Sequence, residues 1–167
     1  MKPAIVVADT SPLIALAVMD LLPVLRILFK TILVPSAVVR ECLNDLSKPM
    51  AGKIAEALTN KILMEQSVTN RDYCELLVQV LDHGEAETIT LAKEINAVAL
   101  IDEATGRKVA ARENVEFAGS LSVLIRAKQE NLIPAATPLL SRLLEHGYHL
   151  DESLVQYVVD TCGENTS

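Results

Sequence analysis

The chain has 167 residues, enough for one domain with a substantial core and too few for two. Half of them are hydrophobic but only 3% are aromatic, so the core has to be aliphatic, and a base-stacking platform of the RNA-recognition or OB type is disfavoured. A net charge of −7 speaks against a generic basic nucleic-acid coat. Cys42, Cys74 and Cys162 are far apart, odd in number and without Cys-x-x-Cys spacing, which argues for buried thiols in a reducing, cytoplasmic compartment and against disulfides or zinc.

In chain order, Ala4–Ala8 is a β-branched run ending in Asp9 and reads as a buried strand. Thr10 or Ser11 can cap the next helix, with Pro12 in its first turn, where a missing N–H costs nothing. The apolar stretch from Pro12 to Met19 is bounded by Asp9 and Asp20, and Arg26 and Lys30 interrupt the apolar residues beyond it, so no segment reaches membrane-spanning length. A second helix is expected from Asp20 to about Phe29, then a strand at Thr31–Val34 stopped by Pro35. Ser36 is expected to cap a helix carrying Ala37, Val38, Glu41 and Cys42.

Lys48–Asn60 is amphipathic and helical in pattern, and Lys61–Val68 could be a strand of ambiguous register. Asp72–Leu81 and Glu85–Ile95 read as helices divided by the turn signal Asp82-His83-Gly84. Val98–Ile101 is another buried strand, ending in Asp102. Next come a helix, a short strand near Val115–Ala118 and a helix opening at Ser120. Pro134 and Pro138 lead into a helix ending near Gly147, and Asp151 begins the last. This alternation predicts an α/β fold, a three-layer αβα sandwich around a mostly parallel sheet with right-handed crossovers. We expect a single domain over 1–163, with a core to about 118, a C-terminal helical hairpin over 119–163 and a polar tail at 164–167.

Two strands end in the same way, an apolar run and then an acid: Asp9 and Asp102. In open α/β sheets ligands bind beyond the carboxyl ends of the strands. An acid there is costly unless it is paired, hydrogen-bonded or bound to a metal, although either Asp could also be a helix cap. Glu41, taken alone, reads as a solvated helix residue. On a helical wheel Glu85 falls on the stripe of Ile89, Leu91, Ala92 and Ile95, facing inward, while Glu87 falls on the polar side beside Glu94 as an outer candidate. Six acids, Asp9, Glu41, Glu85, Glu87, Asp102 and Glu103, therefore lie where a cation site could form, and much of the negative charge is local.

Asp9-Thr10-Ser11-Pro12-Leu13-Ile14, Glu41 after VPSAVVR, GEAETITLA and LIDEATGRKVA resemble, in order, the four acidic blocks of PIN domains. Gly119–Leu144 (GSLSVLIRAKQENLIPAATPLLSRLL) resembles the C-terminal block of a PIN-like group of small bacterial and archaeal proteins related to VapC-type toxins. The resemblance reaches about Val159. It implies a PIN-type αβα fold and a ribonuclease using Mg²⁺ or Mn²⁺, often the toxin of a toxin–antitoxin pair, with a small antitoxin and a homodimer as expected partners. By position it assigns Asp9, Glu41, Glu85 and Asp102 as catalytic acids. Relatives often carry Asp where this chain has Glu85 or Glu103, and Ala in place of Thr88.

Hard divalent ions held by carboxylates suit phosphodiester hydrolysis. We expect Asp9 and Asp102 to hold the main ion, with Glu85 as a further ligand, Glu41 completing the site or orienting water, and the Thr10 or Ser11 hydroxyl assisting. Arg107, Lys108 and Arg112 could steer RNA phosphates, or serve only as surface charges, with Glu103 and Arg107 as an i,i+4 pair. His146 and His149 are poorly spaced for zinc, and His83 is expected in a turn. A haloacid-dehalogenase-like phosphatase would want an Asp where Ser11 stands, and a receiver domain would want a late-strand Lys that VEFAGS lacks. The alternative from another class is a catalytically weak or inactive PIN-fold binding protein, using Leu121–Ile125 and Leu139–Leu144 as an interface.

Overall fold

A computed structural model describes residues 4–165. Five strands, β1 (Ile5–Ala8), β2 (Thr31–Pro35), β3 (Met64–Gln66), β4 (Val98–Leu100) and β5 (Phe117–Ala118), form one sheet in the order β3-β2-β1-β4-β5. Every pairing is parallel, with Val6 opposite Ile32 on one side and Val98 on the other. The expected αβα sandwich is therefore what forms. The chain runs outward from β1 to β3 and returns to lay β4 against the other edge of β1, so the order reverses between β1 and β4. That is where such sheets open a ligand crevice.

Alternation along the strands divides the core in two. Val6, Ala8, Ile32, Val34 and Leu100 face α1 (Thr10–Val18), α4 (Pro49–Thr59), α8 (Ser120–Gln129), α9 (Thr137–Glu145) and α10 (Glu152–Thr161). Val7, Leu33, Ala99 and Ile101 face α5 (Arg71–Val78), α6 (His83–Ile95) and α7 (Ala104–Arg112). Residues 121–125 and 139–144, considered as an interface, instead supply Val123, Leu124, Leu140 and Leu143 to the first core. Leu144 stays exposed. The three cysteines are free and buried.

Local chemistry explains most element ends. Helices α1, α4, α7 and α8 are each followed by a left-handed residue (Asp20, Lys61, Asn114 and Asn131), and α6 is closed by left-handed Asn96. Asn and Asp tolerate that region best among residues with a Cβ. Asp20, at φ 55°, also breaks the helix expected from Asp20 to Phe29. With Pro23 close behind it, only α2 (Leu25–Leu28) forms. Among the described residues no helix is long and apolar enough to cross a membrane.

Candidate metal centre

Asp9 leaves β1 into the crevice, with its N–H donating to the Leu100 carbonyl at 3.1 Å. It occupies the N-cap position of α1, yet its side chain makes no capping hydrogen bond. The carboxylate points instead into a cavity of about 340 Å³ walled by Asp9, Thr10, Glu41, Asp82, Glu85 and Glu103. Asp9 is only 3% exposed. Burial pushes its carboxyl up to about 7, and the charges of Asp82, Glu85 and Glu41 add to the rise against a partial offset from the Thr10 amide. Glu85 is raised as well, first by burial and then by Asp82.

Glu41 reaches the cavity from α3 (Ser36–Leu43). Two glycines let the acids close in. A Cβ on Gly84 would lie 2.9 Å from Glu41 Oε2 and 3.2 Å from Asp9 Oδ1, and one on Gly106 would lie 2.9 Å from Glu85 Oε1. Glu85 is oriented by a capping box at the start of α6. Its N–H donates to Asp82 Oδ1 at 2.8 Å, and the Asp82 N–H donates back to Glu85 Oε2 at 3.4 Å. The helix consequently begins at His83, one turn signal earlier than the sequence suggests, and His83 is exposed at its first position.

Asp102 leaves β4 beside Asp9, but its side chain is otherwise engaged. Its two oxygens accept from the Ser120 N–H and Oγ, both at 2.8 Å, and Arg107 stands 3.9 Å away. It faces a second cavity on the α8 side of the crevice, which shares Ser11 and Glu103 with the first. Burial, and then the charge of Asp102, raise the Tyr148 phenol of that cavity above its ordinary value. Asp9, Glu41 and Glu85 thus meet in one cavity, with Asp102 next door and Glu103 at the boundary.

Glu87 is not on a polar face. α6 is sandwiched, and every residue from Gly84 to Ala92 is buried. Glu87 Oε2 accepts the Ala37 N–H at 2.9 Å, with Arg71 3.7 Å from Oε1. This bond does what Ser36 was expected to do, holding the first turn of the helix that carries Glu41, while Ser36 Oγ lies 3.0 Å from Ser67 Oγ. Thr88 turns its hydroxyl back to the Gly84 carbonyl at 2.8 Å.

The basic residues divide. Arg107 Nε donates to the Ile101 carbonyl at 2.9 Å, so its partners are Ile101 and Asp102 and not Glu103. Arg112 pairs with Glu113 at 3.3 Å, and Lys108 is exposed. His146 Nδ1 contacts the Arg142 carbonyl at 2.9 Å. Asp82 is the wall residue that the sequence reading placed only in a turn. The Asp-x-x-Glu spacing of 82 and 85 is the signal that marks it.

The donor set suits a small hard cation, because the cavity wall presents carboxylate oxygens from Asp9, Glu41, Asp82, Glu85 and Glu103. The acids stand back from the centre, and among the described residues no three acid, histidine or cysteine side chains are drawn to ligand spacing. The residues present fit a divalent ion.

A family model described as a PIN domain matches residues 5–164. No curated protein matches the chain.

Proposed function

Because the chain belongs to the PIN-domain family, whose fold is of nuclease type, we propose that it is a Mg²⁺- or Mn²⁺-dependent endoribonuclease. The observation that supports this reading is the meeting of Asp9, Glu41 and Glu85, from three separate segments, in one cavity at the β1–β4 switch point. Asp9, Glu85 and Asp102 would hold the ion, Asp102 by turning from Ser120, and Glu41 would orient water. A bound divalent ion supplies an activated water and relieves charge on the phosphorus oxygens.

The protein's own groups do the positioning. The capping box fixes Glu85, the Glu87 bond to Ala37 fixes the base of the Glu41 helix, and the bare Cα of Gly84 leaves room for both Glu41 and Asp9. In hydrolysis the water oxygen bonds to phosphorus, the bond to the departing ribose oxygen breaks, and that oxygen leaves with a proton. On this reading the protein acts in the cytoplasm as the toxin of a toxin–antitoxin pair, dimeric and held by a small antitoxin. A short reading frame beside its gene and a dimer mass by light scattering are the expected observations.

Single-stranded RNA incubated with Mn²⁺ tests the proposal. Cleavage is expected with the wild-type chain, and is expected to be abolished by EDTA and by Asp9→Asn/Asp102→Asn. Equal cleavage by the double variant would mean a contaminating nuclease and sink the assignment. One observation favours a second reading, a PIN-fold binding protein with a weak site: both Asp102 oxygens are already taken by Ser120. Mn²⁺ binding without cleavage of any RNA would select it.

A further inference from the structure

The second cavity, on the α8 side of the crevice, has a volume of about 570 Å³, within the range of small-ligand sites. It runs from Asp102 and Arg107 across α8 to α10, and it adjoins the carboxylate cavity through Ser11 and Glu103. The chain has only three tyrosines and two phenylalanines, yet Tyr148 and Tyr157 both stand on this one cavity. The Arg107 guanidinium on the cavity wall lies 5.7 Å from the ring centre of Phe117. Tyr157 is 59% exposed on α10, so packing does not require a ring there.

Resting on the ribonuclease reading above, we propose that this cavity is a nucleobase subsite, in which an unpaired base of single-stranded RNA next to the cleaved bond stacks on Tyr157. A base presents a flat π face to the tyrosine and a polar edge to groups such as the Ser122 hydroxyl and His149, both on the cavity wall. Its phosphate would then fall towards Ser11 and Glu103, where the two cavities meet. The subsite gives the C-terminal helices a part in choosing the substrate. It predicts a preference for single strands, because a base held in a duplex cannot enter.

A single-stranded RNA decamer carrying 2-aminopurine at stepped positions tests this. In the wild-type protein with Mn²⁺, fluorescence is expected to be quenched at one position beside the cleaved bond. Tyr157→Ala is expected to relieve the quenching and raise KM about tenfold, with a much smaller fall in kcat, and Tyr157→Phe to restore both. Tenfold, about 1.4 kcal/mol, falls in the lower half of what one base–aromatic stack contributes. An abasic residue at the quenched position should erase the difference between wild type and Tyr157→Ala. Quenching without cleavage keeps the subsite and removes the ribonuclease reading. Cleavage with no quenching and an unchanged KM in Tyr157→Ala overturns the subsite and leaves the cavity to a protein partner.

Discussion

Replacing Asp9 by asparagine removes one charge from a site where it is held at a cost. In an unfolded chain this carboxyl titrates near 3.8, while in the folded, metal-free protein burial and neighbouring acids push it up to about 7. Below pH 3.8 it is protonated in both states and contributes nothing to pH dependence. Between 3.8 and about 7 the native state keeps a proton that the unfolded state has lost, so stability falls as pH rises. Above about 7 the native state carries the full penalty, about 4 kcal/mol. In a chain of this size 1 kcal/mol moves Tm by roughly 2–4 °C. Asp9→Asn is therefore expected to raise the metal-free Tm at pH 8 by on the order of 10 °C, and to leave it unchanged at pH 3. Mn²⁺ at about a thousand times its Kd returns about 4 kcal/mol to the wild type alone. Differential scanning fluorimetry from pH 3 to 8, with EDTA or Mn²⁺, reads all three. A variant that melts lower than wild type at every pH, or gains as much from Mn²⁺, would refute the reasoning.

Three further substitutions probe the neighbours of Asp9. Gly84→Ala puts a Cβ 2.9 Å from Glu41 Oε2 and 3.2 Å from Asp9 Oδ1, so Mn²⁺ affinity by calorimetry should fall at least about tenfold (~1.4 kcal/mol). Stability should hold, because alanine is the better helix former by about 1 kcal/mol. Glu87→Ala leaves the buried Ala37 N–H without its acceptor, and urea unfolding should show a loss of about 1–3 kcal/mol together with slower cleavage through a loosened Glu41. Ser120→Ala deletes one of two bonds to Asp102 and should lower stability by about 1 kcal/mol while strengthening Mn²⁺ binding, if Asp102 is thereby freed to turn inward. Unchanged Mn²⁺ affinity in Ser120→Ala would keep Asp102 as a brace for α8.

The middle of the sheet is legible because β1, β2 and β4 are short β-branched or aliphatic runs, and Asp9 and Asp102 stand out because each follows one, whereas the polar Met64–Gln66 carries no such signal. The break at Asp20 is also written there, in Pro23, which a single helix from Asp20 to Phe29 would have to accommodate in its first turn. What could not be read depends on neighbours remote in the chain. Glu87 reads as polar-face on a wheel that knows only its own helix, and only the packing of α3 over α6 turns it inward. Asp102 has the same exit as Asp9, but Ser120, eighteen residues later, decides where its oxygens point. The tyrosines on the second cavity come from the turn before α10 and from α10 itself, and no local pattern links them to Ser11.

The sheet order also bears on how the protein is made. β1 is the central strand and the first to leave the ribosome, yet one of its two edges stays bare until Val98–Leu100 have been synthesised. At ordinary translation rates that interval lasts several seconds, during which an aliphatic strand with open hydrogen-bonding groups is available to any passing chain. Rapid overproduction is thus expected to favour inclusion bodies over folded protein.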